Sequence, residues 1–282
     1  MIPDIQPVAA LLADARRLVV LTGAGCSTES GIPDYRSPRP EPRSRPIRYM
    51  EFVRKPLMRR RYWARSMVGW PAMAAARPNS GHEALARLEA SGRVDTLITQ
   101  NVDRLHQAAG SRCIVELHGA LAEVRCLDCG VITDRAAMQA RLRAANPGWT
   151  ATADTINPDG DATLDRDDYA RFVVPPCATC GGMLKPRVVF FGESVPPPRV
   201  AASFAAVERA DGMLVAGTSL TVWSGLRFVR AAAERGIPIG LVNLGPVRDD
   251  HLIDARADAP TGVALPALVR RLVGGVTTAS TG

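Results

Sequence analysis

The chain has 282 residues, 46% hydrophobic and 22% charged, which suits a globular protein with one large domain and room for a smaller lobe. Its formal charge is +7, from 33 Arg and only 2 Lys against 28 acidic residues, and no apolar run approaches the ~20 residues that span a bilayer. The opening "MIPDIQPVAALLADARR" lacks a basic segment followed by an apolar core, so no secretory signal, no membrane partner and a cytoplasmic location are expected.

In chain order, "RLVVLTGAG" (17–25) reads as a buried strand ending in a glycine turn. Residues 37–81 follow, opening on the Pro/Arg-rich "SPRPEPRSRP" and passing into a mixed helical stretch. Positive charge is concentrated here: residues 36–65 hold eleven Arg or Lys against Glu41 and Glu51. A solvated basic face and attraction of an anionic cofactor or substrate both account for it. Nucleic acid is not the expected partner.

"HEALARLEASG" (82–92) has helical spacing and ends at Gly92, and "VDTLITQN" (94–101) reads as a second strand. Residues 120–186 break the alternation with two Cys-x-x-Cys pairs and a long polar insert. Beyond them come strands "RVVFFGE" (187–193), "GMLVAGTS" (212–219) and "IPIGLVNLG" (237–245), with the helix "GLRFVRAAAERG" (225–236) between the last two. The strands are continuous apolar runs, as expected when both faces are covered, and their alternation with helices predicts an α/β fold with a mostly parallel sheet. The polar tips "TGAG", "TQN", "GTS" and "NLG" fall at strand C-termini, where such sheets bind ligands.

Cys126, Cys129, Cys177 and Cys180 make two knuckles that suit a closed tetrahedral S4 site for one structural Zn2+. The 47-residue spacer between the pairs is longer than the usual ~15–20 residues. Within it "DTINPDGDATLDRDD" faintly suggests a calcium loop, but Thr155 and Arg166 stand where the essential carboxylates belong. His118, eight residues ahead of Cys126, is either a further metal ligand or a catalytic base. Four thiolates already fill the shell, which favours the base.

The loop "GAGCSTESGIPDYRS" (23–37) is not the dinucleotide fingerprint, since Thr28 replaces its third glycine. Gly23 and Gly25 would still admit a pyrophosphate close to the backbone, with Ser27 and Ser30 as hydroxyl donors. "TQNVDRLH" (99–106) adds an amide, Asn101, and a carboxylate, Asp103, just past a strand. A nucleotide site and a simple tight turn both fit the loop taken alone.

Taken together, G-A-G-x-S-x-x-S-G-I-P-x-Y-R, T-Q-N-V-D, H-G, the cysteine pairs, F-G-E, G-T-S and N-L-G resemble the sirtuin family of NAD-dependent protein lysine deacylases, from about residue 18 to 262. "YWAR" (62–65), "NPDGD" (157–161), "KPRVVFFGE" (185–193), "SLTVWSG" (219–225) and "NLGP" (243–246) resemble its class II branch, which includes the lipoamidase and ADP-ribosyltransferase type. The resemblance implies a Rossmann-like NAD-binding domain with helices on both faces, built from 1–36, 82–119 and 187–282. It also implies a helical insertion with a cofactor loop (37–81) and a zinc-binding module (120–186).

It further implies that Gly23, Ala24, Gly25 and Ser27 line the NAD+ phosphates, with Ser30, Gly31, Ile32, Pro33, Asp34, Tyr35 and Arg36 on the adjoining cofactor loop. Gln100, Asn101, Val102 and Asp103 would hold nicotinamide and its ribose. Gly217, Thr218, Ser219, Asn243, Leu244, Gly245 and Thr261 would hold the adenosine end. An acyl-lysine protein or peptide would add as a strand between "FGE" and "LTVWSG", touching Phe191, Gly192, Glu193 and Val222. This chain has Trp223-Ser224 where many relatives have Pro-Ala.

His118 is then the general base, with Asn101 and Asp103 completing the catalytic set, and an imidazole titrating near 6.5 suits that work. With one water consumed, the implied products are free lysine, nicotinamide and O-acyl-ADP-ribose. Tyr62 and Arg65, at i and i+3 on one helix face, resemble the Tyr-x-x-Arg pair of a sirtuin branch that removes succinyl groups, which implies a guanidinium reading the distal carboxylate of an acidic acyl chain. A surface Arg in an Arg-rich segment is the simpler account of Arg65. Protein mono-ADP-ribosyl transfer, and a non-catalytic nucleotide-binding module with a zinc lobe, are the competing functions.

Overall fold

Continuous apolar runs become strands here because both of their faces are covered. The computed structural model describes residues 3–35, 45–157, 159–165 and 168–274. In chain order the strands are β1 (Leu18–Thr22), β2 (Val94–Thr99), β3 (Ile114–Glu116), β4 (Gly119–Cys126), β5 (Ile132–Asp134) and β6 (Ala153–Ile156). They continue with β7 (Ala162–Leu164), β8 (Leu184–Val188), β9 (Gly212–Ala216), β10 (Ile239–Val242) and β11 (Ala255–Ala257). The chain divides into two units: Met1–Gly31, Arg77–Leu117 and Val195–Gly282 form one, Ile32–Ala76 and His118–Ser194 the other.

The first unit holds a six-stranded sheet in the order β11-β10-β9-β1-β2-β3, with every pairing parallel. Strand order reverses beside β1, so the turns after β1 and β9 flank the switch-point crevice at the strand C-termini. Successive side chains of β1 face opposite ways. Leu18 and Val20 pack with Val8, Leu12, Leu85, Leu88, Leu265 and Leu268 of the helices Gln6–Leu11, Ser80–Ala90 and Thr261–Gly274. Val19 and Leu21 pack with Val207, Leu226 and Phe228 of Pro197–Arg209 and Trp223–Glu234. Each fully buried Leu or Val contributes about 1.5–3 kcal/mol, so these two layers are the main source of the unit's stability. Arg93 ties the layers' edge together, donating to the carbonyls of Leu12, Ala13, Ala15 and Leu272 at 2.5–3.1 Å.

The second unit holds an antiparallel sheet, β5-β4-β8, a β6–β7 hairpin and the helices Tyr49–Arg54, Pro56–Ala75 and Arg135–Ala145. Most of the 37–81 stretch and the whole of 120–186 group in this unit, while residues 77–81 group with the first. The segment "RVVFFGE" departs from expectation. It was to extend the parallel sheet, but its ordered part ends β8, whose partner is β4 in antiparallel register, so residues 187–194 group with the second unit. An apolar run records burial and does not record which sheet covers it. Arg135 anchors this unit: it is 1% exposed, stacks between Trp63 and Trp70 at 5.5 and 5.0 Å, and donates to the Ser66 carbonyl and hydroxyl. No helix among the described residues is long and apolar enough to cross a membrane.

Candidate functional site

The turn after β1 interlocks with the turn after β9. Gly25 N–H donates to the Gly217 carbonyl at 2.8 Å. A Cβ on Gly23 would lie 2.6 Å from Thr218 Cβ, and one on Gly217, at φ +59°, would lie 2.4 Å from the Cys26 amide. The glycines read from the sequence as room for a pyrophosphate are needed first for this backbone-to-backbone approach. Ala24 lies in a short 3-10 turn, Ala24–Cys26, and Gly31 closes the loop in the left-handed region at φ +83°. Thr261 Oγ1 donates to the Gly25 carbonyl at 3.2 Å. Cys26 is buried, which pushes its thiol up to about 12 and leaves it unsuited to nucleophilic work.

Around this turn the first unit assembles a continuous polar network. Ser27 Oγ donates to Asp103 Oδ2 at 2.6 Å, and Asn101 Nδ2 donates to Ser27 Oγ at 3.1 Å and to the Gly23 carbonyl at 3.0 Å. Asp103 Oδ1 accepts the Leu105 amide at 2.9 Å. Gln100 Nε2 donates to Thr218 Oγ1 at 3.0 Å, while Val102 lies half-buried between Asn101 and Asp103. With Nδ2 of Asn101 committed internally, its Oδ1 is the atom left to meet a donor such as a carboxamide or hydroxyl. At the turn after β10, Asn243 is buried and donates to the Leu244 and Gly245 carbonyls, and Leu244 is 71% exposed. Ser219 Oγ lies 3.3 Å from Thr221 Oγ1.

Several members of the network were not singled out from sequence. Asn79 caps Ser80–Ala90 through Oδ1 and donates from Nδ2 to the Cys26 carbonyl and to Ser30 Oγ. His106 Nε2 lies 2.9 Å from Thr22 Oγ1, which donates to Thr99 Oγ1, which accepts the Asn101 amide. His82 packs against His106 with ring centroids 4.8 Å apart. Burial pushes His106 down to about 3, with His82 adding a smaller push, so the ring is held neutral. The signals available were Asn79 ahead of a helical run and His106 at the end of "TQNVDRLH".

The second unit carries the other expected residues. Ile32 is buried, Pro33 and Asp34 are half-buried, and Tyr35 meets Phe191 edge to face at 6.4 Å. Arg36 lies outside the described residues. His118 is half-buried, its carbonyl accepts the Val189 amide at 2.8 Å, and it stands immediately before Gly119, at φ +86°. The four cysteines form the one cluster of potential metal ligands among the described residues, and His118 is not in it. Their sulfurs lie within 4.8 Å of one another, with Cys126–Cys180 at 3.5 Å and Cys129–Cys177 at 3.8 Å. Tetrahedral Zn–S bonds of ~2.3 Å require S–S separations of about 3.8 Å, so the set fits one structural Zn2+. Backbone amides of Cys180 and Thr179 draw the Cys177 thiol down to about 6, while, against the pull of the Gly182 amide, crowding by the other three sulfurs pushes Cys180 up to about 12.

The turn Phe190–Glu193 is pinned from within. Glu193 Oε2 accepts the Phe190 amide at 2.8 Å and lies 2.9 Å from the Lys185 ammonium, which is itself buried against the Phe190 ring at 4.5 Å. Gly192 takes φ +77°, and Phe191 is left 48% exposed. Val222, in the first unit, is 46% exposed.

Tyr62 and Arg65 depart from expectation. Both are buried, Tyr62 against Phe52 and Phe190, and Arg65 at 2% exposure. Arg65 Nε lies 2.8 Å from Asp161 Oδ1 and donates to the Ala162 carbonyl at 2.5 Å. The guanidinium that was to read an acidic acyl chain is instead engaged within the chain by Asp161 and the Ala162 carbonyl. The i, i+3 spacing was sound, but it did not reveal that the polar insert folds back onto this helix face.

The Sir2 family model matches residues 23–224. An "NAD-dependent protein deacetylase" of Bordetella bronchiseptica is 51% identical over 267 residues, 94% of this chain and 97% of that protein. "NAD-dependent protein deacetylase 1" of Streptomyces coelicolor is 52% identical over 270 residues, 95% of this chain and 90% of that protein. A solved Sir2 protein with a p53 peptide and NAD+ is 29% identical at a TM-score of 0.75, covering 97% of this chain and 100% of that one. With the parallel sheet, the switch-point network and the four-cysteine site already in place, these matches establish that the chain belongs to the Sir2, or sirtuin, family.

Proposed function

We propose that the protein is an NAD-dependent protein lysine deacetylase, and more broadly a deacylase, that moves the acyl group of an acyl-lysine protein or peptide to ADP-ribose. The products are nicotinamide, free lysine and O-acyl-ADP-ribose. The observation that carries the reading is the Ser27–Asn101–Asp103 network at the switch point of a parallel sheet. An amide oxygen and a carboxylate held together there fit a carboxamide and a ribose hydroxyl, and the glycine turn packed against the turn after β9 sits at the same strand ends, where parallel sheets bind ligands. NAD+, when bound, supplies the ADP-ribosyl acceptor and the nicotinamide leaving group.

The chain's own residues then divide the work. Asn101 and Asp103 orient the nicotinamide end, and the turn of Gly23, Ala24, Gly25 and Ser27 lines the phosphates. Asn243 and Ser219 hold the adenosine end. His118 accepts a proton at its imidazole during acyl transfer, and the turn carrying Phe191 receives the substrate strand. The cysteine site holds its unit together and performs no chemistry, since four thiolates leave no open position for a metal-bound nucleophile. The class II resemblance, resting on "NPDGD" and "NLGP", is part of this proposal.

The test is nicotinamide release from NAD+ with and without an acetyl-lysine peptide. The reading expects peptide-dependent release that falls by about 100-fold or more in His118→Ala, the usual scale of a lost general base. A His118→Ala variant as active as wild type would overturn it. So would transfer of ADP-ribose onto the peptide without loss of its acetyl group.

A further inference from the structure

The substrate-facing turn of the second unit has a built-in charge bias. Arg48 is exposed, and its backbone forms a parallel β-bridge with Phe191, while the Tyr49 amide donates to the Phe191 carbonyl at 3.0 Å. These contacts fix Arg48 at the turn, where its guanidinium lies over Gly192: Nε and Nη2 stand 3.7 and 3.8 Å from the position a Cβ would take there. The turn's own acid, Glu193, cannot balance Arg48, because it is held by Lys185 and by the Phe190 amide. Glu51, on the helix that Arg48 precedes, accepts the Arg48 amide at 3.0 Å, and that bond together with the charges of Arg45, Lys55 and Arg48 holds its carboxyl below the usual range, so it offsets only part of this positive charge. Arg45, Arg54, Lys55 and Arg60 are exposed on the segments beside it. Among the described residues Phe191 is therefore an exposed apolar contact bordered by more positive than negative charge, with Glu51 the one carboxylate set against Arg45, Arg48 and Lys55.

We propose that Arg48, with the cationic face around it, makes the enzyme selective for acyl-lysines whose neighbouring residues are acidic. The inference rests on the deacetylase reading and adds a substrate class to it. The planar fork of a guanidinium meets a carboxylate with two parallel hydrogen bonds, and a net charge of +7 raises encounter rates with acidic segments.

The test compares acetyl-lysine peptides identical except for Glu, Gln or Lys at the positions flanking the acetyl-lysine. An exposed ion pair of this kind corresponds to an advantage of up to about fivefold in kcat/KM for the Glu over the Gln peptide. That advantage should shrink in about 0.5 M salt, where the screening length is only a few ångströms. Arg48→Gln should bring the ratio toward one, and Arg48→Glu should invert the order. Because each ratio is taken within one variant, partial loss of folded protein cancels. Equal turnover of all three peptides by wild type, or an undiminished ratio in Arg48→Gln, would overturn the inference alone. No turnover of any peptide would overturn the deacetylase reading with it.

Discussion

Ser27 Oγ donates to Asp103 Oδ2 at 2.6 Å, which joins the glycine turn after β1 to the loop after β2. The same hydroxyl accepts from Asn101, so its one proton is committed to the carboxylate. Ser27→Ala should therefore leave Asn101 and Asp103 without their shared partner and raise KM for NAD+ about tenfold, the scale of one hydrogen bond to a charged group. KM for the peptide should change little. Equal KM values for NAD+ in wild type and variant would show that the network is not part of the cofactor site.

Arg65 and Asp161 yield a pH-dependent prediction. Burial pushes the Asp161 carboxyl up to about 7, with Asp159 adding to the push and Arg65 opposing it. A raised folded-state value means the fold binds the proton more tightly than the unfolded chain does. Stability from this group is thus fully present near pH 4 and is lost as pH rises through about 7. Arg65→Met removes the opposing charge, so it should cost about 3–5 kcal/mol above pH 7 and clearly less near pH 5. Denaturant unfolding at the two pH values measures the difference, and a cost independent of pH would contradict the pairing.

His106 has the opposite sign. Its folded value is depressed to about 3 by burial, so its contribution is present above the ordinary imidazole range and is lost as pH falls from about 6.5 toward 3. Wild-type stability should decline through that window, and His106→Gln, which cannot take up the proton, should decline less. Parallel curves would rule out His106 as a source of acid sensitivity.

The cysteine site predicts one zinc per chain in the purified protein. Structural zinc in small modules is worth on the order of 10 kcal/mol. Cys177→Ser or strong chelation should therefore abolish the cooperative unfolding of the second unit, as read by tryptophan fluorescence from Trp63 and Trp70, which flank Arg135. Retention of that transition in metal-free protein would show that the thiols do not need the ion.

Buried strands and the polar turns that end them were legible because their causes are local. β1, β2, β9 and β10 are apolar runs ended by polar tips, and each tip lies at the end of a parallel strand. The cysteine knuckles were legible because each one closes within a few residues. What was not legible depends on distant partners. The burial of Arg65 requires Asp161, nearly a hundred positions away, and β8 leaves the parallel sheet because β4 pairs with it. Nothing near His106 in the sequence marks its hydrogen bonding, because its partners Thr22 and Thr99 lie on two different strands.

The most direct measurement is the product stoichiometry from NAD+ and one acetyl-lysine peptide, followed by mass spectrometry. The account predicts equal amounts of nicotinamide, deacetylated peptide and O-acetyl-ADP-ribose, all lost together in His118→Ala. Free acetate in place of O-acetyl-ADP-ribose, or deacetylation in the absence of NAD+, would contradict it.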